Sequence, residues 1–317
     1  MKNTKLLIAA GLLMLGTDAW SQLPVNGVHY PAGLEGIKGG SLPEPGIYLR
    51  DDNLFYISQS GSLSDSDMLI YLQAPQLTWM TGWQILGADY GANIMVPVIY
   101  KDVNYRTASV TPNGQRFVFT QGGSRFGLGD IKIEPLLLSW HLRHFDFMAG
   151  YALWLPTGDY ETSSKVNLGN DCFTHMLTLG GVYYPDKKKT WAVSILNHFE
   201  FNSQQPVSQT LITPGGGYSV TVNGDVPCSV YTLEWGFSKT ICSQADLGII
   251  GYYQRQFTDE TRAAVANRDA GVAGIGPEIR SQISRWDLSL SLRYAYEFLE
   301  DDRPQGHTIN FTLTKKF

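Results

Sequence analysis

The sequence predicts an all-β fold: a transmembrane antiparallel β-barrel of about twelve strands, preceded by an irregular N-terminal segment. Three observations predict it. The C-terminal run His307 to Phe317 alternates, with Ile309, Phe311, Leu313 and Phe317 on one parity and Thr308, Asn310, Thr312 and Thr314 on the other. Side chains on a strand switch faces at every residue, so this run has one apolar and one polar face and ends on an aromatic residue. The N-terminus carries an export pattern, and short and long links between apolar-alternating segments take turns along the chain.

In the export pattern, Lys2 and Lys5 precede an uncharged apolar run from Leu6 to Gly16, followed by the small-x-small triplet Ala19-Trp20-Ser21. The run has about half of the ~20 residues a spanning helix needs, so residues 1–21 are expected to be a removable signal peptide with Gln22 as the mature start. Beyond it no apolar stretch of about 18 residues occurs, and only a closed sheet could then cross a membrane. Composition fits: 43% hydrophobic, 12% aromatic and only 17% charged residues, where soluble domains carry roughly 25% charged. A net charge of -5 gives no electrostatic case for nucleic acid.

Residues 22–46 contain Pro24, Pro31, Pro43 and Pro45 among several glycines and show no sustained period, so neither strand nor helix is expected. The segment is long enough to enter a barrel lumen from the periplasmic side. It could narrow the bore as a plug or remain a loosely attached arm.

From residue 47 onward the expectation is barrel. Strands are expected near 47–58, 76–86, 89–102, 130–141, 144–156, 173–184, 190–201, 228–238, 244–257, 273–284, 286–298 and 306–317. The clearest has Trp286, Leu288, Leu290, Leu292, Tyr294, Tyr296 and Phe298 on one parity, opposed by Asp287, Ser289, Ser291, Arg293 and Glu297. Aliphatics at mid-height with aromatics at both ends mark a lipid-facing wall with two girdles. Tyr231, Leu233, Trp235 and Phe237 repeat the pattern, as do Trp191, Val193, Ile195, Phe199 and Phe201. So do Phe145 to Leu155, Tyr90 to Tyr100, and Leu77, Trp79, Trp83 and Ile85. The links are long at 59–75, 103–129, 157–172, 202–227 and 258–272, and tight at Gly87, Arg143, 185–189, 239–243 and Arg285. Short periplasmic turns and long outer loops with both termini in the periplasm follow from this alternation.

Several short pieces, in order, resemble one family. They are Tyr30-Pro31-Ala32-Gly33-Leu34-Glu35-Gly36, Pro45-Gly46-Ile47-Tyr48, Gly129-Asp130, Pro135 and Trp140. Leu155-Pro156-Thr157-Gly158-Asp159-Tyr160, Asn167-Leu168-Gly169, Gln256 to Asp259, Gly274-Ile275-Gly276-Pro277 and Arg303-Pro304-Gln305-Gly306 complete the set. The chain is similar to the family named for meta-pathway phenol degradation. The resemblance implies an outer-membrane transporter, often associated with breakdown of aromatic compounds, and no catalytic residues. The matched Gly and Pro positions are expected to shape turns and bulges.

Inward parity places Lys132, Glu134, His198, Glu200, Glu234, Gln254, Gln256, Glu278, Arg280, Arg293 and Glu297 on the lumen wall, with Asp89, Lys101, Asp146 and Asp246. Such groups could select permeants by charge and hydrogen bonding, or simply pair across strands in a narrow interior. His141 and His144 flank a tight turn, and no further ligand falls at metal spacing. Cys172, Cys228 and Cys242 are an odd count; a Cys172–Cys228 bridge between outer loops is an option, while Cys242 should stay unpaired.

Three function classes compete. A channel for passive uptake of small organic molecules is the main reading, without cofactor or bond chemistry. A sealed structural or adhesive barrel is the second. A lipid-modifying enzyme is the third; it would need a serine beside a histidine on the outward face, whereas His198 points inward and His175 has no such serine. Expected partners are outer-membrane lipid, the permeant, and the barrel-insertion machinery acting through Phe317.

Overall fold

A computed structural model describes the chain outside residues 1–27, 59–63, 111–115, 162–163, 165, 204–205, 213–218, 226–227, 243, 259–270 and 302–304. The expected signal peptide and the tips of several outer loops therefore lie outside the described residues. Among the described residues there are sixteen strand segments. In chain order they are β1 (Gly46–Ser58), β2 (Ser64–Ile85), β3 (Ala88–Met95), β4 (Val98–Val110), β5 (Arg116–Leu128), β6 (Ile131–His141), β7 (Phe145–Leu155) and β8 (Thr174–Tyr183). Then follow β9 (Trp191–Asn202), β10 (Pro206–Ile212), β11 (Ser219–Asp225), β12 (Cys228–Cys242), β13 (Ala245–Thr258), β14 (Gly271–Ile283), β15 (Leu288–Asp301) and β16 (Gly306–Lys316).

Twelve of these close a ring: β1-β2-β3-β6-β7-β8-β9-β12-β13-β14-β15-β16, with β16 returning to β1. Every pairing is antiparallel. Closure satisfies the strand edges that lipid could not. β4 and β5 prolong β3 and β6 on the outer side, where β4 pairs with the first half of β2. The break between β3 and β4 falls at Val96-Pro97, opposite Pro75 of β2, whose carbonyl still accepts the Val96 N–H at 3.1 Å. Proline has no N–H to give a ladder, which accounts for the break in strand pairing at this level.

Three expectations need correction. The long links at 59–75 and 103–129 are largely strand: β2 starts at Ser64, and β4 and β5 form an extended hairpin. The link at 202–227 contains a separate two-stranded sheet, β10-β11. The turn at Arg285 is a short 3-10 helix, Ser284–Trp286, so Trp286 stands in the turn and β15 begins at Leu288. The physical reason is plainest in β2. Met68, Leu72 and Ala74 pack inward in an apolar cluster with Leu54, Tyr56, Val103, Trp154 and Met176, while Leu69 faces out. With both faces apolar, period-two alternation disappears from the sequence.

Elsewhere parity holds over most of the wall, with a slip in β6 where Pro135 and Leu136 both face out and the register shifts. β9 reads alternately exposed and buried, with Val193, Ile195 and Phe201 outward and Ala192, Ser194, Leu196, His198 and Glu200 inward. Leu177, Leu179, Ile249, Ile279, Leu292 and Phe311 continue the outward apolar surface around the ring. Asp51 departs from the pattern: it lies outward between Leu49 and Asn53, and its Oδ2 accepts from Asn53 at 3.3 Å and Gln73 at 3.1 Å. On the short turn before β9, Asp186 is held by the Trp191 N–H at 2.9 Å, which with Thr190 draws its carboxyl down to about 2.

If this apolar surface meets lipid tails, Leu292→Arg should weaken folding into bilayers by about 2–4 kcal/mol, the cost of an arginine near the midplane. Urea titration of refolding into vesicles measures it, and a change below about 0.5 kcal/mol would place Leu292 outside the hydrocarbon.

Candidate functional site

The interior of the ring is filled by the N-terminal segment. Residues 28–45 form no helix or strand, yet they run through the barrel and bond to wall residues far apart in sequence. The wall supplies carboxylates and the segment supplies N–H groups. Glu200 Oε1 accepts the backbone N–H of His29 at 3.2 Å and of Tyr30 at 3.0 Å. Glu234 Oε1 accepts the Tyr30 hydroxyl at 2.7 Å and the N–H groups of Gly33 and Leu34 at 2.8 and 3.2 Å, and its Oε2 accepts Glu35 N–H at 3.1 Å. Glu278 Oε2 accepts Ile37 N–H at 2.7 Å. An irregular chain has no ladder of its own, so buried donors must find partners elsewhere.

Two arginines also hold the segment, one of them, Arg293, directly across from Glu278 on the neighbouring strand. Arg50 of β1 bonds to the Glu35 carboxylate and, through Nη2, to the Leu34 carbonyl at 2.8 Å and to Asp52 at 3.2 Å, with Nε and Asp52 Oδ2 forming an ion pair at 2.7 Å. Arg293 of β15 donates to the Leu34 carbonyl and, at 3.1 and 2.5 Å, to Ser291 and Thr312; Asp52 and Glu278 lie at 3.8 and 3.9 Å. Toward the short-turn end of the barrel, Lys38 pairs with Asp246 at 2.7 Å and the Ser41 hydroxyl donates to Asp146 at 2.8 Å.

Two glycines let the segment take this path. Gly33 and Gly36 have φ of 83° and 71°, a region that side-chain-bearing residues rarely enter. A Cβ on Gly33 would meet the Tyr252 ring at 2.9 Å, and one on Gly36 would strike the Glu278 carboxylate. The Tyr-Pro-Ala-Gly-Leu-Glu-Gly motif is thus a shape fitted to the lumen wall. Other motif pieces also converge. Asp130 accepts the N–H of Gly158 at 2.9 Å and of Asn170 at 2.7 Å, and contacts His29 Nε2 at 2.9 Å. This ties the loop after β7 to the N-terminal segment.

Of the predicted lumen residues, Lys132, Glu134, His198, Glu200, Glu234, Gln254, Glu278, Arg293 and Glu297 are buried inside, and Gln256 and Arg280 are half-buried. Glu200, Glu234, Gln254, Glu278 and Arg293 touch the segment directly. Lys132 and Glu134 pair at 3.3 Å, with Asn93 donating to Glu134 at 2.6 Å. Glu297 accepts from the hydroxyls of Tyr56 and Tyr252, both at 3.1 Å. Arg280 donates to Ser289 at 3.2 Å, and Lys101 lies 3.5 Å from the Asn167 carbonyl. Asp89 accepts from Gln84 at 3.3 Å near the β2–β3 turn and stays apart from the segment. Sequence reasoning missed Tyr30, Glu35, Arg50, Asp52 and Asp130. The clue available was parity: Arg50 and Asp52 share theirs with Tyr48, Leu54 and Tyr56, which are also inward.

The histidines are dispersed. His144 Nδ1 is 2.8 Å from the Tyr184 carbonyl, His141 lies 3.4 Å from Asp146, and His175 pairs with the Tyr151 hydroxyl at 2.8 Å. Cys172 is a free, buried thiol 3.9 Å from Thr174, so it makes no bridge to Cys228, whose side chain lies outside the described residues. Cys242 is free and exposed.

Comparison with solved structures finds an outer membrane channel from Pseudomonas putida F1, with TM-score 0.65, 13% identity, and 92% of this chain and all of that one covered. The β-domain of the Bordetella autotransporter Brka follows at TM-score 0.53 and 12% identity, covering 87% of this chain and all of that one. At such identities the likeness shows the fold, that of an outer-membrane barrel. Comparison with curated protein sequences gives no match. One sequence family matches residues 53–313, and the chain therefore belongs to the family described as "Putative MetA-pathway of phenol degradation".

Proposed function

We propose that the protein is an outer-membrane channel for passive, energy-independent uptake of small organic molecules, aromatic ones included. One observation carries the reading: a closed barrel whose charged interior is occupied by a separate, non-strand segment held by side-chain hydrogen bonds rather than by sheet pairing. Such a segment can leave without breaking the wall, whereas a strand cannot. Residues 28–45 act as a plug, and transport requires their displacement toward the periplasm. Membership of a family described by phenol degradation and the likeness to an outer membrane channel of Pseudomonas putida support this role. The first 21 residues are removed on export, and Phe317 is presented to the insertion machinery.

A sealed structural barrel is the second reading, favoured by the same filled interior. Proteoliposome swelling in small neutral solutes separates the two, and growth on limiting aromatic carbon sources with and without the protein extends the test to cells. A channel swells the vesicles and improves growth on at least one source. Neither effect, from correctly folded protein, supports the sealed barrel.

A further inference from the structure

The side chain of Tyr30 is a phenol, and the lumen holds it as a ligand would be held. It is 2% exposed, its hydroxyl donates to Glu234 Oε1 at 2.7 Å, and its ring centroid lies 3.9 Å from that of His198 at an interplanar angle of 33°. Gln254 donates to the Tyr30 carbonyl at 2.9 Å. Apolar groups, Leu34, Trp154 and Met176 among them, complete the buried cluster to which the ring belongs. The ring is carried by an irregular segment rather than by a wall strand.

A second observation points to a ligand. His198 Nε2 and Glu200 Oε2, on side chains at 3% and 0% exposure, have no hydrogen-bond partner. Buried polar atoms are normally paired, so a seat with two uncommitted ones next to an aromatic ring is suited to a small polar aromatic. Glu234 matters most. When the Tyr30 ring leaves, Glu234 keeps the N–H groups of Gly33, Leu34 and Glu35 but loses its one hydroxyl donor, so an incoming hydroxyl that replaces that bond is preferred to a purely apolar ring.

We propose that Glu234 and His198 form a binding subsite for phenolic permeants, that is, monoaromatics with a free hydroxyl, and that Tyr30 occupies it as a built-in surrogate in the plugged state. The proposal rests on the channel reading and gives it a substrate class. A phenol arriving from outside competes with Tyr30 for the carboxylate and the ring face, so permeant binding and plug release are one equilibrium. A site built to hydrogen-bond a hydroxyl discriminates against the analogue lacking it, and toluene is that analogue.

The test uses the purified mature chain in detergent, with folding verified by heat-modifiable mobility. Tyr30→Ala vacates the seat, and thermal unfolding is followed with phenol or toluene. Phenol is expected to stabilise this variant at concentrations roughly ten- to hundredfold lower than toluene, the worth of one hydrogen bond to a charged group. Adding Glu234→Leu should erase that preference. Equal effects of phenol and toluene on Tyr30→Ala, or a phenol preference that survives Glu234→Leu, would overturn the subsite. Should Tyr30→Ala fail to fold, Tyr30→Phe keeps the ring without the hydroxyl. Phenol should then open its channel in planar bilayers at lower concentration than in the wild type, and an unchanged concentration would overturn the proposal equally. Phenol-selective stabilisation without current in any variant would sink the channel reading and leave the subsite standing; current without phenol preference would do the reverse.

Discussion

On the channel reading, Glu234→Ala is expected to raise the open probability while leaving the barrel wall intact. The carboxylate accepts four donors from the segment: the Tyr30 hydroxyl and the N–H groups of Gly33, Leu34 and Glu35. Hydrogen bonds to a charged group contribute roughly 1.5–3 kcal/mol each, and a buried donor left unpaired costs about 1–3 kcal/mol. Loss of all four acceptor contacts weakens the hold on residues 30–35, while Glu200, Glu278, Asp246 and Asp146 still bind the flanking parts of the segment, so the effect is a shift toward the open state. In the wall, the main-chain ladder opposite Leu196 and Tyr252 is untouched. Open probability in planar bilayers and protease cleavage within residues 28–45 should rise together. A variant as quiet and as protected as the wild type would show that Glu234 does not hold the segment.

Arg293→Ala is expected to act on the barrel itself. Its guanidinium is 4% exposed and stands between Asp52 and Glu278, 2–3% exposed, at 3.8 and 3.9 Å. It also donates to Ser291, Thr312 and the Leu34 carbonyl. Removing one member of a buried charge cluster leaves the others uncompensated, which typically costs about 3–5 kcal/mol. Lysine should restore the charge but not the forked geometry, so Arg293→Lys is expected to recover only part of the loss. Urea midpoints for refolding into vesicles give the comparison. A loss under about 1 kcal/mol for alanine would mean that water already solvates this cluster.

How much of this was legible in the sequence depended on whether the two faces of a strand differ. Where the inward side is polar and the outward side apolar, as in β9 with Ser194, His198 and Glu200 against Val193, Ile195 and Phe201, alternation placed both the strand and its lumen residues. Where the inside is apolar, as for Met68, Leu72 and Ala74, both faces look alike and the first half of β2 carries no strand signal, whereas its second half, near 76–86, does. β4 and β5 failed for another reason: Gly122, Gly123 and the polar residues around them carry turn signals inside a long hairpin. The irregular path of residues 28–45 was visible in its prolines and glycines. Its partners were not, because Tyr30 and Glu234 meet across 204 positions and no local pattern encodes such a contact. The inward residues of the wall were accessible from parity, but which of them hold the segment was decided by its three-dimensional path.

The central claim is that residues 28–45 close an otherwise continuous bore by lying within it. Single-channel conductance of the mature chain lacking residues 24–45, shown to be folded and inserted, tests this most directly. The account predicts a larger and steadier current than the full-length chain gives under the same voltage and salt. Equal conductance from the two proteins would contradict it.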